Sequence, residues 1–88
     1  MTSRGKRWPA IRLTARMIEA ATEALGYDVD QDWLLGLLEE ERDYSDRELR
    51  SELRDLDRQF RAAGGRGVEM ADRIDALTAL IAARGAGS

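Results

Sequence analysis

Trp33-Leu34-Leu35-Gly36-Leu37-Leu38 is the most apolar run in a chain whose residues are 35% charged, so it has to lie inside whatever the chain folds into. At helical spacing its side chains sweep more than half of a helix circumference, and Gly36 falls on what remains. A helix that is apolar nearly all round needs cover on most sides. The run therefore predicts the central post of a small helical domain. Gly36 costs about 1 kcal/mol against alanine in a helix interior. Close approach of the first helix is the expected reason for tolerating it.

Local signals place the helices around that post. Trp8-Pro9 favours an extended or turn geometry at Trp8, so a helix can start at Pro9 or later. In the later start Thr14 is the N-cap and Leu13 staples to Ile18. Ile11, Ala15, Ile18, Ala21 and Leu25 then share a face, and Gly26 ends the helix in a left-handed cap. Asp30 is the N-cap expected for the central helix, with Val29 and Leu34 at staple spacing. Ser45-Asp46-Arg47-Glu48 is a capping box, and Tyr44 and Leu49 are spaced as its staple. Leu49, Leu53, Leu56 and Phe60 recur at intervals of 4, 3 and 4, and Met70, Ile74, Leu77 and Ile81 repeat them. Two matching seams joined across Gly64, Gly65 and Gly67 predict an antiparallel hairpin.

The expected fold is an all-α four-helix bundle with helices near 14–25, 30–42, 45–62 and 68–84. Residues 1–13 would form a mobile basic arm, 14–84 the single domain and 85–88 a disordered tail. The expected core is Ile18, Leu25, Leu34, Leu38, Leu53, Leu56, Phe60, Ile74, Leu77 and Ile81, with Trp33 anchoring or capping it. A chain of 88 residues buries roughly 60–65% of its unfolded surface, enough for one modest core.

Composition narrows function. There is no cysteine and no histidine, which removes thiolate chemistry, the commonest general base and the commonest metal ligand. No nucleotide loop or nucleophile motif is present, so no enzyme activity and no cofactor are expected. No apolar run approaches the length of a membrane span, and the start lacks a signal-peptide core; the expectation is a soluble cytoplasmic protein with no membrane partner. Arginine is used thirteen times and lysine once, amid abundant alanine and glycine, a composition suggesting a GC-rich bacterial or phage genome.

Charge is segregated along the chain. Residues 1–18 carry +5, 19–60 carry −9 and 61–88 carry +1. Three groups of residues are candidates for contact. The basic arm holds Arg4, Lys6 and Arg7 beside Trp8, which reads either as a partner-facing anchor or, more commonly, as a side chain folded back onto the first helix. Arg47, Arg50, Arg54, Arg58 and Arg61, spaced 3, 4, 4 and 3, line one side of the third helix. Arginine's forked donors suit carboxylate or phosphate. The bland alternative is a solvated face with local pairs such as Asp46–Arg50 and Asp57–Arg61, or pairs to the preceding helix. Glu39, Glu40, Glu41 and Asp43 form an acidic surface for a basic partner, or simply confer solubility.

Two further motifs bear on function, and only the first is set aside. Asp28, Asp30, Asp32 and Glu39 match positions 1, 3, 5 and 12 of a calcium loop, but Trp33 stands where the turn needs glycine, so no metal is expected. The short link between the second and third helices permits a helix-turn-helix. Its turn has no glycine, and the domain is acidic where a DNA binder is usually basic.

The expected function is a non-enzymatic protein-binding module, of regulator, adaptor or inhibitor type, that docks on a larger protein. A helix-turn-helix-like nucleic-acid binder using the arm and the arginine stripe is the alternative. A structural homo-oligomer that buries surplus apolar surface is the third.

Overall fold

The computed structural model describes residues 11–87. They form four helices and no strand: α1 (Ala15–Leu25), α2 (Gln31–Glu40), α3 (Asp46–Ala62) and α4 (Val68–Gly87). The all-α expectation is met, and the capping signals lie where the sequence places them. Thr14 accepts from the Met17 N–H at 3.2 Å, and Asp30 accepts from the Trp33 N–H at 2.9 Å. Both bonds of the Ser45–Glu48 box are made. Gly26, with φ of 84°, turns the chain out of α1.

The central post is not α2. It is α4, against which α1, α3 and α2 all pack, with α1 making the most extensive contact. The reason lies in side-chain size. Ala76, Ala79 and Ala83 are buried together with Leu77 and Leu80, and small side chains let a neighbouring helix axis come close. α2 contributes Leu34, Leu37 and Leu38 to the core, while Trp33 remains 38% exposed rather than anchoring it. A Cβ added at Gly36 would meet nothing within 4 Å, so close approach does not explain that glycine.

α1 and α3 both run antiparallel to α4. Tyr27, just past the end of α1, bonds Asp75, whereas Met17 near its start lies against Gly87. Likewise Asp46 at the start of α3 meets Arg84 and Glu52 meets Arg73, so the expected hairpin is present. α4 is about 30 Å long and α1 about half that, so α1 covers only the second part of α4. The remainder of the hairpin projects: between Leu49 and Ala76 no residue is buried. That explains why Leu53, Leu56, Phe60 and Ile74 are only half-buried. Ile18, Leu25 and Ile81 are also half-buried, while Leu34, Leu38 and Leu77 are buried as expected.

The domain limits also shift. Ile11 and Leu13 pack against the core, so the folded unit reaches into the segment expected to be arm. α4 continues through Gly85 to Gly87, where a cap and tail are expected. α2 stops two residues short of its expected end, and Glu41 is its C-cap.

Candidate functional site: the arginine face of α3

Thirteen arginines in a small domain cannot all serve the same end, and the structure sorts those it describes. Arg73 and Arg84 of α4 are structural. Arg84 is 19% exposed in its side chain and donates through Nη1 to Asp46 Oδ1 at 3.0 Å. Its Nη2 donates to the backbone carbonyls of Glu41 and Arg42 at 3.0 and 3.2 Å. A cation on the carbonyls of the C-cap and the residue after it complements the negative end of α2. Arg73 donates through Nε and Nη2 to both carboxylate oxygens of Glu52, and through Nη2 to Glu41 Oε1 at 3.1 Å. These bonds, Glu52 foremost and Glu41 second, raise its already high pKa. Together the two arginines clamp the α2–α3 junction onto α4.

Glu41 is therefore not part of an open acidic surface. Its side chain is 14% exposed and spent on Arg73, while Glu39, Glu40 and Asp43 remain exposed. The pairing of helix-3 arginines with that acidic group is replaced by pairing from α4.

The α3 stripe divides in two. Arg61 pairs with Asp57 at 3.2 Å, as the spacing predicts, and Arg58 lies 3.9 Å from Asp55. All four side chains are well exposed, so these pairs are worth little. Arg47, Arg50 and Arg54 form no ion pair among the described residues. The expected Asp46–Arg50 pair is absent because Asp46 turns to Arg84. With Ser51, these three arginines line one shallow depression on the outer face of the helix.

Arg4, Lys6, Arg7 and Trp8 lie outside the described residues. The calcium-like motif is used otherwise: Asp30 caps α2, and Trp33 to Glu39 are helical. Among the described residues no group of three His, Cys, Asp or Glu side chains is placed to hold a metal ion, and no helix is long and apolar enough to cross a membrane.

No family model, curated protein or solved structure matches this chain. The arrangement of its side chains is what speaks to function.

Proposed function

We propose that this protein is a non-enzymatic docking module that engages an acidic surface of a larger partner protein through Arg47, Arg50 and Arg54 of α3. The observation carrying this reading is that these three arginines share a depression and an exposed face, with no carboxylate partner among the described residues. Their spacing brings like charges together at i, i+3 and i, i+4, which costs a few tenths of a kcal/mol per pair in the free protein. An incoming row of carboxylates relieves that repulsion and accepts the forked donors.

The nucleic-acid alternative draws on the same arginines. Against it, α2 and α3 pack mainly on α4 and little on each other, and the chain is acidic overall, with a net charge of −3. The oligomer reading loses much of its motive, because the apolar run of α4 is covered by the other three helices.

The test is capture of partners from the host lysate with tagged protein, with and without nuclease, read by mass spectrometry. The expected result is a specific protein that survives nuclease and is lost with the Arg50→Glu, Arg54→Glu double variant. Enrichment that disappears with nuclease makes nucleic acid the ligand and overturns the reading.

A further inference from the structure

A second concave surface lies away from the α3 face, where the start of α1, the end of α2 and the end of α4 meet. It is an open groove of about 510 Å³. Ile11, Met17 and Leu38 supply its apolar lining, and Arg12, Arg42 and Arg84 its charged lining. No carboxylate lines it among the described residues. Arg84 is already committed to Asp46 and the carbonyls of Glu41 and Arg42, whereas Arg12 is exposed and forms no ion pair among the described residues. Met17 adds adaptability, since a thioether side chain fills irregular gaps readily. The groove keeps its shape because Gly87 has no side chain: a Cβ there would sit 3.2 Å from Met17 Sδ.

We infer that this groove is a peptide-binding site that takes an apolar side chain flanked by carboxylates on a partner protein. Charge complementarity selects that occupant. An apolar floor takes a leucine-sized side chain, and the charged lining, which is wholly cationic among the described residues, favours carboxylate and repels a basic segment; Arg42 and Arg84 are engaged within the fold. Arg12 is the residue that makes the charge-assisted contact. The site is separate from the α3 face and does not depend on it.

The probe is a capped hexapeptide with one leucine among glutamates, titrated into the full chain while the methyl resonances of Ile11, Met17 and Leu38 are followed by NMR. Saturable shifts at these methyls are expected. Replacing the peptide leucine by serine, or Arg12→Glu in the protein, weakens binding about tenfold or more. Gly87→Leu, which fills the groove from the end of α4, abolishes the shifts while thermal melts report an intact fold. The inference is overturned by any of three results. These are methyls that stay still up to millimolar peptide, equal binding of a lysine-for-glutamate peptide, and shifts that fall on α3 around Arg50 and Arg54 instead.

Discussion

The arginines of α4 and those of the first half of α3 are the same residue type on two packed helices, put to opposite uses. Arg73 and Arg84 each tie α4 to the α2–α3 junction, with side chains 32% and 19% exposed. Arg47, Arg50 and Arg54 face outward and form no ion pair among the described residues. The difference is positional. An arginine beside a helix C-terminus and a carboxylate, or between two carboxylates, is worth more to the folded state than one among its own kind. The first group should therefore govern stability and the second should govern binding.

The largest effect that would test this contrast is Arg84→Ala. It removes a bond to Asp46 and the cover of the Glu41 and Arg42 carbonyls just past α2, and should cost about 2–3 kcal/mol in urea unfolding. Arg84→Lys should recover only part of this, because a point charge cannot reproduce the fork. Arg73→Ala should cost about 1–2 kcal/mol, since the Arg73 side chain is itself more exposed than that of Arg84. The double variant should cost less than the sum, because both arginines hold Glu41.

Gly36→Ala sharpens the comparison in the other direction. The site is helical and open, so the change should add about 1 kcal/mol and keep clamp variants folded for study. At the acidic flank of α3, Glu48 has its pKa lowered by hydrogen bonding from Ser45, the backbone N–H first and the hydroxyl second. A lowered folded-state pKa means that this stabilisation is present above the ordinary carboxylate pKa and is lost as pH falls through the folded value. Glu48→Ala should therefore lower the Tm at neutral pH, and the gap to wild type should close in acid.

The smallest stability change belongs to Arg47, Arg50 and Arg54. Converting all three to glutamine should shift the unfolding free energy by no more than about 0.5 kcal/mol, and upward if at all. The same variant should lose its partner. A large destabilisation would show that the contrast is false and that the stripe is structural.

How far the sequence reveals these features depends on range. Caps and turns are local, and Thr14, Gly26, Asp30 and Ser45 declare themselves within a few residues. The hairpin is legible from its repeated seam. The identity of the central helix is not, because leucine and tryptophan draw the eye to Trp33–Leu38. Ala76–Ala83, eight residues without a charge and the longest such run in the chain, is the better signal. Alanine ranks low in hydrophobicity yet buries fully where helices approach closely. The α4 clamps are also invisible at short range: their partners lie 21 to 43 residues away, and no periodicity announces them. Of the arginine stripe, the spacing shows the face, but only the tertiary fold separates Arg47, Arg50 and Arg54 from their paired neighbours.

The central position of α4 also bears on how the chain is made. The other three helices precede it and are synthesised first, each with an apolar face whose partner does not yet exist. At about 5–20 residues per second, the twenty residues of α4 take roughly one to four seconds to emerge. Until then α1 and α2 lack the helix on which each chiefly packs. Folding is thus gated by the last helix, and a ribosome that stalls before Val68 holds out three helices that cannot assemble.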